Sequence, residues 1–264
     1  MASTTALLVG DLGSIPSPRI FSGPIHTAMQ TVEEFHQRVI NVRKRLGISR
    51  RRAWFRGHRF GTHKLLPGIM RRRDGLRHER NLFANFQTES AKQLGKIDSW
   101  EILAVMQHHG IPTRLLDWTE SLHTALFFAL EGKVESPCVW ILNPYQLNKK
   151  ATGKNVVFDQ ADKIGLDFYE AIKPPSRWPY DLPIAMDAPW RNDRILNQRG
   201  SFTFHGNNEL PLEESCDDCV RCVPIPPHLV KALRAELARS GFDHFRLFPD
   251  LDGLARSLKT RFKF

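Results

Sequence analysis

Apolar residues recur at helical spacing in several blocks of the chain, with short continuous apolar runs between them. Val32, Phe35, Val39, Ile40 and Val42 form the first stripe, opened by Thr31-Val32-Glu33-Glu34. There the threonine hydroxyl can accept from the third helical amide while the glutamate reaches back. The pattern predicts a helix over residues 31–46, stopped by Gly47. Leu82, Phe83, Phe86 and Ala91 predict a second helix over residues 78–94, closed by Gly95. Asp98 or Ser99 caps a third, which ends near Gly110. A fourth follows Thr119, with Leu122, Ala125, Leu126, Phe128 and Ala129 ahead of Gly132. Pro226 suits the first position of a helix ending at Gly241, and a last helix covers residues 251–259.

The runs between these stripes read as strands: residues 53–57, closed by Gly57; 137–143, broken by Asn143-Pro144; 199–205; and 220–225. Residues 174–190 are dense in proline and tryptophan, and are expected to form a long ordered loop of the kind that lies over sites. No internal repeat, low-complexity segment or linker interrupts the pattern. The expectation is an α+β fold, a small central sheet flanked by helices, in one domain over residues 30–264. Residues 1–29 form an N-terminal lead-in.

Composition narrows the choice. With 41% hydrophobic and 25% charged residues, the chain is not one whose composition keeps it disordered. No apolar stretch is long enough to cross a bilayer, and no cationic segment precedes the short apolar run from Ala6 to Val9. The expected location is therefore cytoplasmic, with no membrane partner. Four cysteines are expected to be reduced thiols there. Cys216, Cys219 and Cys222 have metal-like spacing, but a structural zinc site wants four ligands, so no metal is expected. The 38 Lys+Arg against 28 Asp+Glu give a net charge of +10, which favours polyanions. Much of the excess is local, in Arg43 to Arg45, Arg50 to Arg52 and Arg71 to Arg73. Arg51, Arg52, Arg71, Arg72 and Arg73 are the candidate nucleic-acid contacts; the alternative is a solvated basic face.

Met106-Gln-His-His-Gly-Ile-Pro-Thr-Arg-Leu-Leu-Asp-Trp-Thr119 is the densest segment for chemistry, read as the joint between two helices. Arg114 can make a two-pronged contact with carboxylate or phosphate. Alternatively it pairs with Asp117 while Thr119 caps the next helix. His108 and His109 cannot face the same way, and His109, next to the turn, is the candidate acid–base group.

Several of these segments together resemble the FRG domain family. They are Trp54-Phe55-Arg56-Gly57, Leu66-Pro67 with Arg71, and Gln107 to Thr119 with the Ala125 to Ala129 helix. Gln198-Arg-Gly-Ser-Phe-Thr203, the Leu233 to Gly241 helix and Leu247 to Gly253 extend the likeness over about residues 30–257. The aromatic-Arg-Gly triplet also resembles the early strand of ADP-ribosyltransferases. That likeness implies NAD as cofactor, its pyrophosphate or ribose held by Arg56 and Gly57, with Thr113 and Arg114 beside them. It further implies a Ser/Thr on a second strand and a late Glu or Gln, for which Thr113 and Gln198 are the candidates. Thr113 departs from the pattern by standing between helices, and no Glu-x-Glu stands late in the chain. His109, Asp117 and Gln198 are the candidate catalytic residues of an effector-type enzyme acting on nucleic acid or protein. The other readings are a non-catalytic nucleic-acid or nucleotide binding module, and an adaptor whose Arg/Asp/Trp turn is structural.

Overall fold

Thr31 does cap the first helix: its hydroxyl accepts from Glu34 N at 3.2 Å, and α1 runs Val32–Arg45 with Phe35, Val39 and Val42 buried. The computed structural model describes residues 29–48, 52–159, 167–173, 178–188 and 197–264. The lead-in up to residue 28 and Arg51 lie outside them. After α1 the chain forms β1 (Trp54–His58), α2 (Gly75–Leu94) and α3 (Ser99–His108), the last opened by a reciprocal cap between Asp98 and Glu101. Then come β2 (Leu115–Thr119), α4 (Leu122–Leu130), β3 (Cys138–Leu142) and α5 (Pro144–Thr152). The rest is α6 (Phe168–Ile172), β4 (Ile184–Asp187), β5 (Gly200–Phe204), α7 (Leu212–Ser215) and β6 (Val220–Pro224). A short 3-10 turn leads into α8 (Val230–Arg239), and α9 (His244–Leu247) and α10 (Leu251–Phe262) close the chain.

The six strands make one antiparallel sheet in the order β4-β5-β2-β1-β3-β6, so the fold is α+β as expected. Three readings of the chain change. Residues 115–119 are a strand and not part of a helix-to-helix joint; Leu115, Leu116 and Trp118 are buried on alternate faces, which erases the alternation a half-exposed strand would show. Ile184, Ala185 and Met186 are fully buried for the same reason, so a strand sits inside the expected long loop. Asn143-Pro144 does end β3, but it also starts α5. Asn143 caps it through Gln146 N at 3.1 Å and Pro144 fills the first turn, where no amide is needed. The cysteines also differ from the expectation: Cys216 and Cys219 are joined as a disulfide, while Cys138 and Cys222 are free.

Apolar residues gather in three clusters. One lies under α1, α4 and α8 against β1, β3 and β6, with Phe35, Phe55, Leu126, Ile141 and Leu233 among its members. A second joins α2, α3 and α6 to β2, β4 and β5 through Phe83, Trp100, Leu115, Phe168 and Phe204. The third covers the opposite face, through Trp54, Leu116, Trp118 and Trp140. The first two clusters share one side of the sheet but stay separate. The boundary between them follows the β1–β2 line.

Candidate functional site

Neighbouring strands elsewhere in the sheet pair over four or five residues, but β1 and β2 share one opposed pair, Phe55 with Thr119. Beyond it the two central strands part. A cleft of about 330 Å³ opens there, a size within the range of small-molecule sites. Its floor is Phe55 to Arg59 of the β1 region, Asp117 to Thr119 of β2, and Gln198 with Gly200 to Phe202 at β5. Ala104, Gln107 and His108 of α3 form one wall, and Thr124, Ala125 and Phe128 of α4 the other, with Arg71 and His63 at the rim.

Gly57 lets α4 lie this close. A Cβ there would stand 1.9 Å from Ala125 O and 2.6 Å from Ala129 N, so any side chain would push the helix off the strand. Its role is packing, and it is the neighbouring Arg56 that faces the gap between the strands. Arg56 Nη1 donates to Asp117 O at 2.6 Å and Nε to His58 Nε2 at 3.1 Å, and the Asp117 carboxylate is 3.9 Å away. Burial pulls the Arg56 pKa below its ordinary value; Asp117 opposes that and Arg71 adds to it. Burial, with Arg56, His63 and Arg71 nearby, pulls His58 down to about 2. His58 is therefore neutral and accepts from the arginine without cancelling its charge. The result is a cation held in place by neutral acceptors, suited to an anionic ligand.

Asp117 is 57% exposed, with its carboxylate fixed at 2.8 Å by Gln107 Nε2. Gln107 Oε1 in turn accepts from Thr113 Oγ1 at 2.7 Å, and Thr113 Oγ1 accepts from Leu115 N. Thr119 donates to Gln198 O at 2.6 Å and accepts from Ser121 N, so it ties the end of β2 to the segment entering β5. The cap of α4 is Ser121, not Thr119. Gln198 Nε2 donates to Leu247 O at 3.1 Å.

The cleft thus collects Arg56, Gly57, Arg71, Asp117 and Gln198 from the sequence candidates. Thr113, Arg114 and His109 stand elsewhere. Thr113 is buried and reaches the cleft only through Gln107. Arg114 is buried against Glu79 at 2.7 Å, with Gly206 O and Asn207 Oδ1 completing its fork, so it pairs with neither Asp117 nor a ligand in the cleft. His109 is the exposed cap residue of α3. The cleft-facing positions of that helix are 104, 107 and 108, three and four residues apart, and one further step turns away. Of the basic positions, Arg52 is held by Glu120 at 2.5 Å and Asp187 at 3.1 Å; partial burial works against its charge, yet these contacts and Tyr145 raise its pKa. It ties the turn at Glu120 to the end of β4 at Asp187. Arg72 and Arg73 are exposed beside the Arg71 rim.

Sequence reasoning passed over His58, Gln107, Thr119 and Glu131. Gln107 stands inside the quoted motif, and Thr119 follows from taking Leu115 to Thr119 as a strand that ends at the cleft. No comparable signal marks Glu131, which the turn after α4 brings to the opening.

A second buried imidazole lies below the floor. His205 is fully buried; its Nε2 is 3.1 Å from Thr203 Oγ1, which accepts from Trp118 Nε1, and its Nδ1 has no partner. Burial, then the charge of Arg56, lowers its pKa to about 3. Unfolded, His58 and His205 each take up a proton near pH 6.5. Stability present above that pH is therefore lost as pH falls through and below it, by up to about 1.4 kcal/mol per pH unit for each imidazole. Thermal unfolding followed from pH 7 to pH 5 should show a falling Tm, and His205→Asn should remove about half of the slope. An unchanged slope in that variant would mean that His205 is already protonated in the fold.

Residues 51–137, about a third of the chain, match the family model described as FRG domain. The match includes Arg56, Arg71 and Asp117, and stops before Gln198 and the later segments. No curated protein and no solved structure matches the chain.

Proposed function

We propose that the cleft binds NAD and transfers its ADP-ribosyl group to an acceptor. The observation that supports this best is the trio at the parting of the central strands: Arg56 on β1, Thr119 at the end of β2 and Gln198 entering β5. An aromatic-Arg-Gly first strand, a hydroxyl on the second strand and a late Gln or Glu are the pattern of ADP-ribosyltransferases. The place expected for Thr113 falls to Thr119. In this reading the fork of Arg56, with Arg71 at the rim, takes the pyrophosphate, and the Thr119 and Gln198 polar groups lie towards the ribose. The ribose C1′–nitrogen bond breaks with both electrons leaving on nicotinamide. The acceptor's lone pair forms the new bond to C1′, and its proton passes to the Asp117 carboxylate. The exposed Arg71 to Arg73 run beside the opening favours nucleic acid as acceptor.

A specific observation supports a second reading, a nucleotide-binding module without turnover. The late position holds a neutral Gln198 whose amide already donates to Leu247 O. One experiment separates the two: the protein with NAD, alone and with RNA or DNA, assayed for nicotinamide release and for label transferred from adenine-labelled NAD. Release that stops in Thr119→Val is the expected result. Saturable NAD binding without release would establish the module, and absence of binding would end both readings.

A further inference from the structure

We infer that α10 is an interfacial helix that seats on an anionic lipid surface, a role independent of the cleft. The helix faces the protein with small residues. Gly253 and Ser257 are its buried positions, and a Cβ at Gly253 would stand 1.9 Å from Phe248 O. Its large apolar residues point the other way: Leu251 is 82% exposed, Phe262 66% and the following Phe264 96%. Five of the eight exposed large hydrophobics among the described residues (Phe245, Leu251, Leu258, Phe262 and Phe264) fall in the last twenty residues, so they concentrate at this end of the chain.

At about 100° per residue, Leu251, Ala255, Leu258 and Phe262 fall within roughly 60° of one another on the helix. Lys259 and Arg261 lie roughly 80° to either side of the stripe, with Arg256 and Lys263 beyond Lys259. All four are exposed, and Asp252 is the one acid on the helix. Arg261 also faces Asp243, which leaves the Lys259 side the more strongly cationic. An apolar ridge with cations on both flanks is the pattern of a helix lying in the headgroup region, its apolar face among acyl chains and its cations among phosphates. Charge complementarity selects the occupant. A second copy would bring cations against cations, whereas an anionic bilayer meets both flanks at once, and the net charge of +10 adds to the attraction. No helix of the described residues is long and apolar enough to cross a membrane, and lying on one requires none. This departs from the expectation that no membrane is a partner.

The test is co-sedimentation of the full chain with vesicles of phosphatidylcholine alone and of phosphatidylserine mixed with phosphatidylcholine. Binding is expected to the mixed vesicles and to fall as salt rises. The triple variant Leu251→Ser, Phe262→Ser, Phe264→Ser should bind about tenfold more weakly or worse, with an unchanged Tm because these side chains are 66% to 96% exposed. Lys259→Glu with Lys263→Glu should weaken binding and flatten its salt dependence. Failure to bind mixed vesicles at low salt would overturn the proposal. So would binding that survives the triple variant, which would place the contact at another basic surface, or self-association of the parent chain that the triple variant abolishes.

Discussion

Arg114→Ala is expected to cost the fold about 3–5 kcal/mol, whereas Asp117→Ala should leave Tm within a few degrees of the parent. Arg114 is 5% exposed and meets the Glu79 carboxylate at 2.7 Å, Gly206 O at 2.7 Å and Asn207 Oδ1 at 2.9 Å. Truncation removes the cation and strands two buried acceptors, the Glu79 carboxylate and Gly206 O, along with Oδ1 of the exposed Asn207. Burial already raises the Glu79 pKa against the pull of Arg114, and losing that pull raises it further. The double variant Arg114→Met, Glu79→Leu should recover most of the loss, because it removes both the charges and their need for partners. Asp117 stands at the other extreme, more than half exposed and held by Gln107 alone among neutral donors. Chemical denaturation of the three variants decides the matter. A large loss in Asp117→Ala with none in Arg114→Ala would invert the assignment of which residue is structural.

If the cleft turns over NAD as proposed, Arg56→Ala should lower that turnover by about 10²–10³-fold while leaving the protein folded. The guanidinium reaches both Asp117 O and His58 Nε2, so it joins two strands that backbone pairing leaves apart. Arg56→Lys should fare little better, since one ammonium cannot reproduce a fork aimed at two acceptors and a ligand. Stability should change little, because losing a desolvated cation offsets the lost hydrogen bonds. Nicotinamide release and NAD binding are the measurements. Turnover within threefold of the parent would exclude Arg56 as the anion-holding group.

Much of this architecture was legible in the sequence where local rules govern. Thr31, Asp98 and Gly95 mark helix ends through caps and a left-handed turn, and α1, α3 and β3 lie within about two residues of expectation. The elements that escaped are the ones the third dimension decides. β2 and β4 are short and buried on both sides, so no alternation announces them, and Asp117 reads as a break because nothing local shows that the sheet parts beside it. The same limit applied to the site. Arg56 and Gln198 could be chosen by residue type and motif, but the choice between His108 and His109 depends on where α3 sits over the strands. Arg114 and Asp117 stand three residues apart, and the helices and strands packed around them give one a buried carboxylate and the other open space.

The parting of β1 and β2 also bears on how firmly the molecule holds together. Each half of the sheet has its own apolar cluster on the helix-covered side, and along the midline backbone pairing is reduced to one residue pair, with Arg56, Arg52 and the cluster on the opposite face adding side-chain links. The midline thus has the fewest backbone hydrogen bonds of any strand pairing in the sheet, the line along which the two leaves part with the least ladder lost. Under the proposed reading, a molecule resting on Arg56, Asp117 and Gln198 would touch both leaves at once and act as a rivet between them. Occupancy and stiffness are then one linked quantity: whatever tightens the leaves improves the hold on the ligand, and whatever fills the cleft makes the two halves open as a single body.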